Sequence, residues 1–307
     1  MAVGGVITTG AHPKLLWPGV HGIWGQKYSE HPPEYPDLFS DETSNMAYEQ
    51  DVQVTPFGLA PRKSQGGPIT YDYETQGPVQ TYLHIPYALG WIVTFEELRD
   101  NLYEKVARNR TAANAFSIRQ TLETLAAAVY NDAFTGAVYQ NANGQSLCST
   151  ANPNTTGGTF SNELSPGAGL LEASLEDMCI LIMGATDDRG NKISIMPRSL
   201  IIAWQQWFNA NRLLKSVMQP GTDNNDINVL RATNAFPEGI KMNHYLSAPD
   251  SWFTRTNAEH GMMMFWRDKP IFDQDNDFAT KNALASTYFR VSFGNTEPRG
   301  IYGSQGP

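Results

Sequence analysis

The longest uninterrupted pattern runs from Trp91 to Thr135, where neither Gly nor Pro occurs although both recur every few residues elsewhere. Phe95, Leu98, Leu102 and Val106, then Ile118, Leu122, Leu125 and Val129, recur at intervals of three and four, which marks one apolar helix face. Thr94 and Glu97 form a capping box, Glu96 and Glu97 suit the positive end of the helix dipole, and Gly136 is the stop signal. About 40 residues at 1.5 Å each predict a rod of roughly 60 Å, with Asn109-Arg110-Thr111 as the place for a bend.

Residues 51–93 alternate with a period of two instead. ITYDYET (69–75) and VQTYLHI (79–85) predict an elongated β-hairpin, whose tip is either Gly77-Pro78 or the Gly58–Gly67 break that holds Pro61, Arg62 and Lys63. A ribbon this polar on both faces has little core of its own, so it is expected to project and to be stabilised by partners. Before it, Pro13, Pro18, Gly19, Gly22, Gly25, Pro32, Pro33 and Pro36 punctuate the chain too closely for a long helix or strand. Leu15, Leu16, Trp17, Ile23, Trp24, Tyr28, Tyr35, Leu38 and Phe39 lie among them, too apolar a set for a disordered tail. An extended arm packed against something, another subunit being one candidate, is the expectation.

After the long helix, residues 137–172 are rich in Gly, Asn, Ser and Thr. Ser174-Leu175-Glu176-Asp177 caps a short helix ending near Gly184, residues 186–191 form a turn, and ISIM (193–196) and LIIAW (200–204) read as strands. A helix from about Gln205 to Ser216, stopped by Pro220-Gly221, precedes the β-patterns GIKMNHYL, SWFTRT, MMMFW and STYFRVSF. Ribbon, long helix, mixed segment and closing strands in that order predict an α+β fold.

Composition narrows the picture. Only 17% of the 307 residues are charged, against roughly 25% in an ordinary domain. Neutral polar residues, Gly and Pro replace the missing charge, which hints at a surface largely covered by neighbours. A net charge of −9 with scattered Lys and Arg argues against wrapping a phosphate backbone. Cys148 and Cys179 make no disulfide framework and no zinc pair. No stretch approaches 18 consecutive apolar residues, and MAVGGVITTGAHPKLLWPG lacks the basic start and apolar run of a signal peptide, so synthesis in the cytoplasm is expected.

The search for catalysis returns few candidates. There is no phosphate loop, zinc-binding HExxH or GxSxG elbow. His12, His21, His31, His84, His244 and His260 are dispersed. Asp273-Gln274-Asp275-Asn276-Asp277 opens like a calcium loop, but Phe278 replaces the turn glycine and Leu284 the bidentate glutamate, so an acidic surface turn is the reading. Asp223, Asp226 and the pair Asp187-Asp188 are the candidate carboxylates for glycoside hydrolysis. Trp204 and Trp207, three apart in an apolar run, read as core rather than a sugar platform, Met262 to Met264 as strand filling, and Cys148 and Cys179 as buried thiols. Asn109-Arg110-Thr111 and Asn154-Thr155-Thr156 match the glycosylation pattern by chance, and Lys63 is expected to be an exposed, solubilising lysine. No catalytic, cofactor-binding or metal-ligating residue and no cofactor are expected.

Several motifs resemble those of one family, the major capsid proteins of tailed bacteriophages. GPITYDYETQGPVQTYLHIPYALGWIVTFEELRD (67–100) is similar to the extended-loop return and spine start of one capsid subfamily. GQSLCSTANP (144–153), with Gly157-Gly158 and Ser161-Asn162, resembles the loop after the spine helix, although that loop commonly has Phe for Cys148 and His for Asn152. TDDRGNKISIMPRSLIIA (186–203), PGTDNNDINVLR (220–231) and YFRVSFGNTEPRGIYGSQG (288–306) are similar in the same way. The resemblance implies the α+β Johnson fold, with an N-terminal arm (1–50), an extended β-loop (51–93) and a peripheral domain with the spine helix (94–172). An axial domain (173–265) and C-terminal strands returning to the peripheral domain (266–307) complete it. It further implies a non-enzymatic protein of the virion, synthesised in the host bacterial cytoplasm. Such a protein self-assembles into hexamers and pentamers of an icosahedral shell around double-stranded DNA, with portal, scaffolding and decoration proteins as partners and no membrane. The competing readings are a carbohydrate-active hydrolase with paired carboxylates and a non-shell viral assembly protein.

Overall fold

A computed structural model describes residues 17–99, 103–219, 226–277 and 279–307. Two four-stranded sheets flank one long helix. The chain opens with α1 (Trp17–Glu30) and the single turn α2 (Tyr35–Leu38), followed by β1 (Ser40–Thr43), β2 (Tyr48–Val54), β3 (Gln76–Leu83) and β4 (Ile85–Val93). The short α3 (Phe95–Arg99) leads to α4 (Tyr103–Asn131), a loop with the small hairpin β5 (Asn152–Pro153) and β6 (Thr159–Phe160), and α5 (Glu172–Met183). Then come β7 (Pro197–Ala203), α6 (Trp207–Lys215), α7 (Val229–Ala232), β8 (Gly239–Asn243) and β9 (Trp252–Thr256). The long hairpin β10 (Met262–Asn276) and β11 (Ala283–Asn295) precedes the closing strand β12 (Ile301–Ser304).

The first sheet has the order β1-β10-β11-β4 and the second β12-β9-β7-β8; β1 and β10 run parallel, as do β7 and β8. The second half of the predicted stripe, Ile118 to Val129, is where α4 meets both sheets, whereas Phe95 belongs to α3 and Leu102 lies outside the described residues. Ile118, Leu122, Ala126 and Tyr130 are buried with Phe289, Val291 and Trp266 of the first sheet and with Ile201 and Phe253 of the second. Leu200 to Ala203 are buried on both faces of their sheet, as a central strand covered on each side must be. The far face of the second sheet packs Leu200, Ile202 and Trp252 against Leu175 and Met178 of α5 and Ala210 and Leu213 of α6. The Thr94–Glu97 capping box forms, with Glu97 N–H donating to Thr94 Oγ1 at 3.3 Å.

Several expectations are corrected. Residues 17–30 form a helix, because Pro18 lies in its first turn, where its missing N–H costs nothing, and space is open beside Gly22 and Gly25. The arm's aromatics pack on their own chain: Trp24 stacks between Tyr28 and Phe272, and its Nε1 donates to Asn114 Oδ1 at 3.1 Å. Residues 1–16, including His12, lie outside the described residues, as do Pro220, Gly221 and Asp223. α4 passes through Asn109–Thr111 without a break, and Thr111 is buried. The ribbon is β2 paired with β3, from Tyr48 opposite Leu83 to Val54 opposite Gln76. Of the two candidate tips, the Gly58–Gly67 break holds: Gly77-Pro78 lies inside a strand, at a bulge where proline removes no needed donor, and ITYDYET belongs to the tip 55–75, which Thr55 N–H closes by donating to Thr75 O. β4 leaves the ribbon to pair with β11, so the ribbon ends at Leu83 rather than at residue 93. ISIM is not a strand; β7 starts at Pro197. β10 and β11 lie in the first sheet whereas β12 closes the second, so the C-terminal segment is shared between the two sheets.

The arm meets α4 at a polar junction inside this core. Glu123 is buried; its Oε1 accepts from Glu34 N–H at 3.0 Å, and its Oε2 has no hydrogen-bond partner among the described residues. Burial raises its pKa to about 7; the hydrogen bond from Glu34 N–H opposes the rise, the Glu34 carboxylate adds to it by a smaller amount, and Arg119 opposes it. Because this lies above the ordinary 4.5, the unfolded chain releases the proton first. The contribution of Glu123 to stability is therefore full below about pH 4.5 and declines until the pH passes about 7, by up to about 3 kcal/mol. Glu123→Gln is expected to flatten the melting temperature between pH 5 and pH 8 in thermal scans. Leu122→Asp places an unpaired charge between the sheets and is expected to cost about 4 kcal/mol or more, read as loss of cooperative unfolding by circular dichroism.

Candidate functional site

The surfaces left uncovered by this fold are its functional features. At the ribbon tip Leu59 is 83% and Tyr71 89% exposed, with Phe57, Ile69 and Tyr73 also exposed. So many large apolar groups on a segment without a strand partner mark a contact surface. Lys63 is exposed among them, as expected.

The ribbon is fixed at its root. His84 is the one residue between β3 and β4, and Ser44 lies between β1 and β2, so the two residues mark where both ribbon strands leave the first sheet. Ser44 Oγ lies 2.5 Å from Glu49 Oε1 and 3.1 Å from His84 Nε2, and it accepts from Met46 N–H. Its single proton goes to the carboxylate, so His84 Nε2 donates to it, and Nδ1 is left to accept from Ser292 Oγ at 3.0 Å. Burial first, with Arg290 and Arg267 adding to it, lowers the His84 pKa.

Further out, polar contacts tie the ribbon to the second sheet. Arg299 is a buried hub: its Nε donates to Thr186 O, Nη1 to Glu297 Oε1, and Nη2 to Asn154 Oδ1 and Asp188 Oδ1, all within 3.0 Å. The guanidinium also lies 3.9 Å from the Phe160 ring centre. Glu297 Oε2 accepts from Gln53 of β2, and Asp51 pairs with His260 at 2.9 Å. Arg189 reaches Asp72 at 2.7 Å; the Gly58 N–H first and Arg189 next hold the Asp72 carboxyl at about 2.

Among the described residues, the candidate catalytic groups do not converge. Asp187 accepts from the Arg189 and Asn191 N–H groups to close its turn, Asp188 pairs with Arg299, and Asp226 lies exposed elsewhere. Asp273 to Asn276 belong to β10, and Asp277 caps the following turn by accepting from Ala279 N–H and Thr280 Oγ1. His244 pairs with Glu34, while His21 and His31 sit edge-on to Phe272 and Phe116. Cys148 and Cys179 lie in different cores, and burial raises the Cys179 thiol to about 11 and Cys148 well above its ordinary value. Met262 and Met264 fill the core; of the two tryptophans read as core, Trp207 packs there but Trp204 is half exposed. Reading by pattern missed Arg299 and His84, whose partners lie far along the chain; the quoted GNTEPRG and TYLHI segments contain them without revealing their role.

A family model described as phage capsid protein matches residues 79–304, from β3 to β12. No curated protein matches the chain. Among solved structures it is similar to the virus-like particle from Pyrococcus furiosus at 7% identity, covering 94% of this chain and 99% of that one with a TM-score of 0.54. It is similar to the capsid of Myoviridae phage XM1 at 12% identity, covering 99% and 100% with a TM-score of 0.51. It is also similar to a Microbacterium phage Oxtober96 chain at 10% identity, covering 89% and 90% with a TM-score of 0.52. These identities show a shared fold, and the family match over most of the chain shows membership. The chain belongs to the phage capsid protein family, whose members build the viral shell and are structural proteins rather than enzymes.

Proposed function

We propose that many copies of this chain form hexamers and pentamers that tile an icosahedral shell around packaged double-stranded DNA. The first sheet with α4 corresponds to the peripheral domain and the second sheet with α5 and α6 to the axial domain. The observation that carries this reading is the ribbon: rooted in the first sheet, it carries at its tip large apolar side chains that its own chain leaves exposed. Burying them on neighbouring subunits contributes about 25 cal/mol per Å² of apolar area, repeated at every contact of the lattice. The acidic chain offers no basic stripe for gripping DNA, so the nucleic acid is enclosed rather than read. Portal, scaffolding and decoration proteins are the expected heterologous partners, and the host cytoplasm the place of synthesis.

The tip contributes little to the subunit's own stability, since its tie to Arg189 is a partly exposed ion pair. Replacing residues 57–73 with a short Gly-Ser turn is expected to leave a folded subunit with a melting temperature within about 3 °C of the original. That subunit should form no shells by electron microscopy. Normal shells from the shortened chain would contradict the role given to the ribbon.

A further inference from the structure

The second sheet carries two unlike apolar surfaces at opposite ends. At one end, Trp204 directly follows β7, and Phe208 on α6, 76% exposed, forms a knob with it. At the other end, Ile180 and Met183 of α5, Met196 before β7 and Val229 of α7 line a groove of ≈ 690 Å³ floored by the buried Cys179 and Leu230. Ile180 is 64% exposed, and no segment among the described residues covers the groove. Asn209 Nδ2 donates to Leu170 O, which ties the start of α6 to the start of α5. α5 and β7 therefore run between the two surfaces, and the seven residues of β7 separate them by roughly 20 Å. That spacing leaves each surface open while the other is engaged.

The charges beside the two surfaces are of opposite sign. Glu176 stands one helical turn before Ile180 on the groove wall, and Arg198, also at the groove, is countered by Glu238 at 2.9 Å. Arg212 stands one turn after Phe208 and is exposed. Pairing groove with groove would oppose Glu176 to Glu176, and pairing knob with knob would oppose Arg212 to Arg212. Only the unlike pairing joins acid to base.

Resting on the shell-forming reading, we infer that the Trp204–Phe208 knob of one subunit seats in the Ile180–Met183–Met196–Val229 groove of a second copy, with Arg212 against Glu176. Contact between unlike surfaces is head to tail, and repeated about one axis it closes a ring, the form a capsomer requires.

The test uses the full chain, with rings followed by sedimentation velocity and shells by electron microscopy. Phe208→Asp and Ile180→Asp alter exposed side chains, so both subunits should melt within about 3 °C of the wild type and form neither rings nor shells. Arg212→Glu and Glu176→Arg should each raise the concentration needed for rings about tenfold, and the two together should restore it to within about threefold. Rings from Phe208→Asp at the wild-type concentration, or a double variant no better than either single, would overturn the inference and leave the shell function standing. Rings intact but shells lost in Phe208→Asp would place the knob against another partner and overturn it equally. A wild-type chain that forms neither rings nor shells would overturn the shell function and the inference together.

Discussion

Everything else in the molecule depends on the burial of α4 between two sheets. Tyr130 shows how tightly the parts are joined there. Its ring lies edge-on to Phe39 of the arm and Phe253 of the second sheet, and its hydroxyl donates to Leu38 O at 2.7 Å. Arm, helix and both sheets thus share one core, and none can move away without opening it.

That dependence also explains what could be read from sequence. Burial of Ile118, Leu122 and Val129 imposes a spacing of three and four, so the helix and its inward face were legible, as was the cap made by Thr94 and Glu97. The β-patterns MMMFW and STYFRVSF located the start of β10 and most of β11, whose inward residues include Phe289 and Val291, whereas Asp273 to Asn276, read as a turn, extend β10. The errors arose where local chemistry serves a distant partner. The arm's prolines and glycines obscured α1, whose helix is stabilised by Trp24 packing on Phe272 across most of the chain. Of the two candidate tips, the Gly58–Gly67 break holds, because the pairing with β2 keeps Gly77-Pro78 extended and leaves the tip at 55–75.

The polar side of the assembly surfaces was the least legible part. Arg299 gathers Asn154, Thr186, Asp188 and Glu297 from three segments, and no periodicity reports a buried hub of this kind. Such a cluster adds less to stability than apolar packing of the same volume would, since every charge had to leave water. What it supplies is direction: through Glu297 and Gln53 it fixes the ribbon relative to the second sheet, while His84 fixes it relative to the first. A projection that must meet a neighbour needs its angle set more than it needs a core.

The shortage of charge follows from the same requirement. A charged group on a surface that will be covered must be desolvated or paired at every contact, and pairing demands a register that most of the surface does not have. In this chain many charges are already used internally: Asp188 and Glu297 with Arg299, Glu34 with His244, Asp37 with Lys241. The ribbon tip and the two ends of the second sheet present aromatic and aliphatic groups instead, with single charges such as Arg212 and Glu176 at their edges. Apolar area without charge gives affinity but little choice of orientation. A few edge charges of opposite sign add that choice at small desolvation cost, so a low charge content and a defined geometry of assembly are compatible properties of one surface.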